Sequence, residues 1–147
     1  MRVVLQRVTQ SQVDIYNKTV GKISNGFLVL LGVGQGDTEA HVDKLIEKII
    51  KLRVFEDEDG KMNKDIVQVG GEMLVVSQFT LYANCKKGNR PSFVDAAPPD
   101  EANRLYEYFV DEAKKQGVEV QTGQFAAYMK VSLVNDGPVT IILDSRE

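Results

Sequence analysis

Apolar and polar residues alternate from Arg2 onward, with Val3, Leu5 and Arg7 on one parity and Val4, Gln6 and Val8 on the other. A period of two predicts a strand. Val13 and Ile15 continue the segment, Asn17-Lys18 reads as a turn, and Val20 to Ile23 returns as a second strand. Gly26-Phe27-Leu28-Val29-Leu30-Leu31-Gly32-Val33 is an unbroken apolar run of strand length, which predicts a central strand covered on both faces. Met73-Leu74-Val75-Val76 reads as another buried strand.

Two segments switch to helical spacing. Gln35-Gly36-Asp37-Thr38-Glu39 opens the first: Asp37 or Thr38 can accept from free backbone N–H groups, and Glu39 suits the positive end of the dipole. Val42, Leu45, Ile46, Ile49 and Ile50 form its apolar stripe. Pro98-Pro99-Asp100-Glu101 opens the second helix, with Ala102, Leu105, Tyr106, Phe109, Val110 and Ala113 facing inward and Gly117 ending it. Val118 to Val120 and Lys130 to Val134 read as strands. Asn135-Asp136-Gly137-Pro138 is expected to turn the chain into a last strand, Val139 to Leu143. Strands, helix, strand, helix and strands in that order predict an α+β fold, with two main helices packed on a mixed or mainly antiparallel sheet.

The length of 147 residues fits one domain, residues 1–147. A net charge of −3 argues against broad, sequence-independent binding of DNA or RNA, though not against contact with an RNA end. Lys86-Lys87-Gly88-Asn89-Arg90 is the densest basic group and reads as a loop, either solvated or in contact with phosphate. Cys85 is the only cysteine, so no internal disulfide can form, which fits a reducing compartment. The first residues are interrupted by charge too early for a signal peptide, and no apolar run approaches the roughly 20 residues of a membrane span. A cytoplasmic protein with no membrane association is expected.

Most familiar catalytic sets are missing. One histidine, His41, and one cysteine leave no common zinc site, and Asp57-Glu58-Asp59-Gly60 lacks the remainder of a calcium loop. No phosphate-binding glycine loop is present, and Gly32-Val33-Gly34-Gln35-Gly36 reads as a flexible strand-to-helix connection. What remains is Ser77-Gln78-Phe79-Thr80-Leu81-Tyr82-Ala83, where a buried strand turns abruptly polar. Read as an extended strand, it points Gln78, Thr80 and Tyr82 one way and Ser77, Phe79 and Leu81 the other. It is either an edge strand with ordinary polar residues or a site that works by placed hydrogen bonds, with main-chain N–H groups available to a developing oxyanion. In Asn135-Asp136-Gly137-Pro138-Val139-Thr140, glycine removes side-chain bulk and proline fixes φ and permits a cis bond; standing alone, Gly137-Pro138 reads as an ordinary turn.

Together, Gln6-Arg7-Val8, Ser77 to Ala83, Arg90-Pro91-Ser92-Phe93 and Asn135 to Thr140 closely resemble the D-aminoacyl-tRNA deacylase family, over Arg2 to about Leu143. The resemblance implies a homodimer with a barrel-like sheet. It implies hydrolysis of the ester joining a D-amino acid to the 3′-terminal adenosine of tRNA, and removal of glycine from mischarged tRNA(Ala). It places Ser77, Gln78, Phe79 and Thr80 in the catalytic motif. Gly137-Pro138, cis in the family, would enter the partner subunit's pocket to exclude L-amino acids, with Arg7 holding it. Phe125 and Met129 would line the pocket. No metal or cofactor is implied. Two other readings stay open: a non-catalytic RNA-end or protein adaptor, and a hydrolase dependent on Cys85.

Overall fold

The computed structural model describes residues 1–147. The chain runs β1 (Arg2–Ile15), β2 (Lys18–Ile23), β3 (Gly26–Gly32), α1 (Glu39–Lys51), β4 (Phe55–Glu56), β5 (Met62–Lys64), β6 (Glu72–Ser77), α2 (Pro99–Lys115), β7 (Glu119–Thr122) and β8 (Lys130–Asp144). A short 3₁₀ turn, Phe79–Tyr82, follows β6.

One sheet is ordered β2-β1-β3-β6-β7, with β8 on the other edge of β1. β1 pairs antiparallel with β2, β3 and β8, whereas β3–β6 and β6–β7 are parallel. β7 comes back against β2, which leaves the sheet a nearly closed barrel with β8 lying outside it.

β3 is apolar throughout because both its faces are covered. Phe27, Val29 and Leu31 join Met73 and Val75 of β6 in the larger core, under α1 and α2. Leu28 joins Leu74 and Val76 inside the barrel, with Val8, Val13 and Ile23. The helices bury the stripes their spacing predicts: Val42, Leu45, Ile46 and Ile49 from α1, and Ala102, Leu105, Tyr106, Phe109, Val110 and Ala113 from α2. Each fully buried valine, leucine, isoleucine or phenylalanine among these contributes about 1.5–3 kcal/mol. Asp37 does not cap α1. Its carboxylate accepts from the Gly34 N–H at 2.6 Å and meets the Met1 ammonium at 2.7 Å.

Two segments depart from the sequence reading. The strand expected to continue through Ser77-Ala83 stops at Ser77. The Gln78 N–H still reaches the Leu31 carbonyl at 2.8 Å, but Leu81 N–H then bonds back to Gln78 and Ala83 N–H to Thr80. Room for this turn is made earlier in the chain. A Cβ on Gly32 would sit 3.0 Å from Leu81 Cβ, and one on Gly34 would sit 2.7 Å from the Tyr82 ring. These glycines, expected to supply flexibility, leave room for the 3₁₀ turn to fold over them.

The second departure is β8. Lys130 to Val134 and Val139 to Leu143 are not separate strands joined by a reversing turn. Both halves pair with β1, in one direction. Gln6 faces Thr140 and Val8 faces Asn135, so residues 136–139 bulge out opposite Arg7 alone.

Candidate active site

β6 ends at the mouth of a cleft of about 710 Å³. Ser77, Gln78 and Phe79 form one wall, Phe93 and the Pro98-Pro99 start of α2 another, and Phe125 and Met129 a third. Phe79 is 53% exposed and meets Phe93 edge-on at 5.0 Å between ring centres. Phe79 therefore belongs to the cleft and not to the core, contrary to the alternation of an extended strand.

Thr80 lies on the exposed part of the 3₁₀ turn, next to the cleft wall. Gln78 Nε2 donates to Thr80 Oγ1. The first N–H groups of such a turn have no acceptor within it, and here these belong to Phe79 and Thr80. No carboxylate, imidazole, ammonium or guanidinium lines the cleft. It offers apolar walls, amide and hydroxyl groups and free main-chain donors. Such a site can orient an acyl group and stabilise an oxyanion, but it holds no strong base.

Arg7, Gly137 and Pro138 form a separate cluster, none of them lining the cleft of the same protomer. Arg7 shares the inward parity of Val3 and Leu5 and is 5% exposed. Its Nε donates to the Asp136 carbonyl at 2.9 Å and its Nη1 to the Val54 carbonyl at 2.6 Å. Asp136, Gly137 and Pro138 are exposed, and the Gly137–Pro138 peptide is cis. Gly137 has φ +139°, a conformation that side chains disfavour.

Asn135 closes the bulge from inside. Its Oδ1 accepts from Val139 N–H at 2.7 Å, while its Nδ2 donates to Thr140 Oγ1 at 3.2 Å. Sequence reasoning assigned Asn135 no role beyond the motif, although bonding to the main chain nearby is the usual reason for asparagine in turns. Phe93 was also missed as cleft lining. Its signal was an aromatic residue within a polar, proline-marked loop.

The family model for D-Tyr-tRNA(Tyr) deacylase matches residues 4–144. The D-aminoacyl-tRNA deacylase of Clostridioides difficile (strain 630) is 59% identical over 145 residues, covering 99% of this chain and 97% of the relative. This chain belongs to the D-aminoacyl-tRNA deacylase family. It is thus an enzyme of the hydrolase class, a deacylase of aminoacyl-tRNA esters. The family member from Thermosipho africanus (strain TCF52B) is 56% identical over 147 residues, covering 100% and 99% of the two chains. Among solved structures, the c-Myc DNA unwinding element binding protein superposes with TM-score 0.92 at 40% identity, over 98% of each chain. A probable eukaryotic D-amino acid tRNA deacylase shares the fold with TM-score 0.80 at 18% identity, over 97% of each chain.

Proposed function

We propose that this deacylase hydrolyses the ester between a D-amino acid and the 3′-terminal adenosine of tRNA, and that it also releases glycine from mischarged tRNA(Ala). The observation that carries the reading is the uncharged cleft beside the Phe79 and Thr80 N–H groups. An aminoacyl ester is already activated, so a positioned water and a held oxyanion suffice. The vicinal 2′-hydroxyl of the RNA assists the water. Phe79 and Thr80 N–H groups hold the acyl oxygen, Thr80 positions the ester, and Ser77 and Gln78 fix the turn. Phe125 and Met129 pack against the substrate. No cofactor takes part.

The chiral filter requires a second copy of the chain. Within one protomer the 136–139 bulge is exposed and does not line the cleft. In the homodimer, Gly137-Pro138 of the partner subunit would close the cleft where an L side chain would lie, with Arg7 bracing the loop behind it. Rejection is then steric. Glycine, having no side chain, is not rejected. The reaction takes place in the cytoplasm, and no helix is long and apolar enough to cross a membrane.

The DNA-binding name of the 40%-identical structure supplies a second reading. The net charge of −3 weighs against it, since duplex binding draws on many neutralised phosphates. Release of D-tyrosine against L-tyrosine from charged tRNA decides between them. The deacylase reading expects the D form to be released and the L form retained. Equal release of both, or of neither, refutes it.

A further inference from the structure

A second hollow lies on the other side of the 3₁₀ turn. It encloses about 590 Å³ and is polar, lined by Arg2, Gln35, Lys86, Asp95, Asp144 and Arg146 around Tyr82. Gln35 also lines the apolar cleft, so the two hollows meet at that residue. In a chain of net negative charge, three cations here outnumber two carboxylates.

The two guanidiniums are held in place by the fold. Arg2 Nε and Nη2 each donate to Asp144 Oδ2 at 3.2 Å, and Nη1 donates to the Leu81 carbonyl at 2.8 Å. The Arg2 guanidinium lies over the Tyr82 ring, 4.8 Å from its centre. Arg146 donates through Nη2 and Nε to Asp37 Oδ1, at 2.9 and 3.3 Å, and through Nη2 to the Gln35 carbonyl. A guanidinium carries five N–H donors, so each keeps two unused. The side chains are 38% and 51% exposed, and both line the hollow. Donors whose orientation is already fixed lose little freedom on binding a tetrahedral oxyanion. Lys86 adds a third positive charge to the lining.

We infer that this hollow seats the phosphodiester next to the terminal adenosine of the substrate. The strand leaves the apolar cleft over Gln35 and sets a phosphate against Arg2, Arg146 and Lys86. The inference rests on the deacylase reading and adds to it a subsite for the polynucleotide. It would let a chain of net charge −3 hold an RNA end by gripping one phosphate at a defined place.

The test compares D-tyrosyl-adenosine, which has no phosphate, with D-tyrosyl-CpA, which has one. The wild-type protein should cleave the dinucleotide ester with kcat/KM about tenfold higher, and this advantage should shrink as salt rises. In Lys86→Ala and Arg146→Gln the ratio of the two substrates should fall toward one. The ratio is internal to each variant, so partial misfolding does not mimic the effect. Inorganic phosphate should inhibit cleavage of the dinucleotide ester more than that of the adenosine ester; equal inhibition of both would mean a phosphate site unrelated to the strand. Equal wild-type rates on the two esters, or an unchanged ratio in both variants, overturns the subsite while leaving the deacylase reading intact. Failure to hydrolyse D-tyrosyl-tRNA itself overturns the proposed D-ester reading, and the subsite with it.

Discussion

Arg7 lies opposite the 136–139 bulge, and its Nε donates to the Asp136 carbonyl oxygen at 2.9 Å. The same guanidinium reaches the Val54 carbonyl on the inner side, so one buried cation ties the outward loop to the core. Glu56 and the Asp136 carboxylate stand near it at 4.0 and 3.9 Å. The exposed loop is thus fixed from behind, and on the proposed reading, in which it meets a second subunit, no loop residue has to spend its outer face on the task.

Arg7→Ala should leave two carbonyls without their donor, at a cost of about 2–4 kcal/mol. Arg7→Lys should recover only part of this, because one ammonium on a flexible stem cannot replace the planar fork. Urea denaturation of both variants measures the loss. Equal stability of wild type and Arg7→Ala would mean that the bulge is held by Asn135 alone.

Gly137→Ala tests the loop itself. At φ +139° an added Cβ would lie 2.8 Å from Val139 Cγ2, 3.0 Å from Val139 N and 3.1 Å from Arg7 Nη2. The backbone strain costs about 1–3 kcal/mol, and the exposed bulge can shift to relieve part of it. The fold should survive, while discrimination between D- and L-tyrosyl-tRNA weakens or activity is lost. A variant with wild-type hydrolysis of the D ester and undiminished rejection of the L ester would remove Gly137 from the filter.

The parts of the fold legible from the sequence are those set by local period. The α1 stripe from Val42 to Ile49 and the two-sided burial of Phe27 to Leu31 follow from spacing; the alternation groups Arg7 with Val3 and Leu5, and the structure shows that this face is buried. The 3₁₀ turn was not legible, because the room it needs is left by Gly32 and Gly34, in a different segment from Phe79 to Tyr82. Asn135 to Pro138 carry turn chemistry in either arrangement. That β1 pairs with β8 on both sides of them, making a bulge and not a reversal, depends on a distant strand. No local pattern sets Thr80 apart from Gly137-Pro138 within one protomer; only the family resemblance implied it, and on the proposed reading their relation is between chains.

Asp37 should govern acid stability. Burial raises its carboxyl pKa, but the Met1 ammonium, the Gly34 N–H and Arg146 together outweigh that and hold it below the usual carboxylate range. Folding thus favours the ionised form. Its stabilisation is complete above the unfolded value of about pH 4 and is lost as pH falls through the lower folded-state value. Asp37→Asn should cost about 3 kcal/mol at neutral pH by leaving a buried ammonium without its carboxylate. The variant should also show a flatter dependence of melting temperature on pH below about 4. A parallel acid profile for variant and wild type would assign the acid sensitivity to other carboxylates.

The role of Thr80 separates two mechanisms. Its Oγ1 accepts a hydrogen bond from Gln78 Nε2, and no charged base lines the adjoining cleft. A hydroxyl whose lone pair is engaged and whose proton has no base to receive it is a poor nucleophile and a good positioning group. Thr80→Ala should therefore slow D-tyrosyl-tRNA hydrolysis by about 10- to 100-fold, the scale of one lost placement contact. Loss of an essential nucleophile would instead cost on the order of 10⁴-fold or more. The complementary substrate is D-tyrosyl-tRNA ending in 2′-deoxyadenosine. If the RNA hydroxyl assists the water, wild-type protein should lose more rate on this substrate than Thr80→Ala loses on the normal one. Trapping of an acyl group on Thr80, with full activity on the deoxy substrate, would reverse the assignment and make Thr80 the attacking residue.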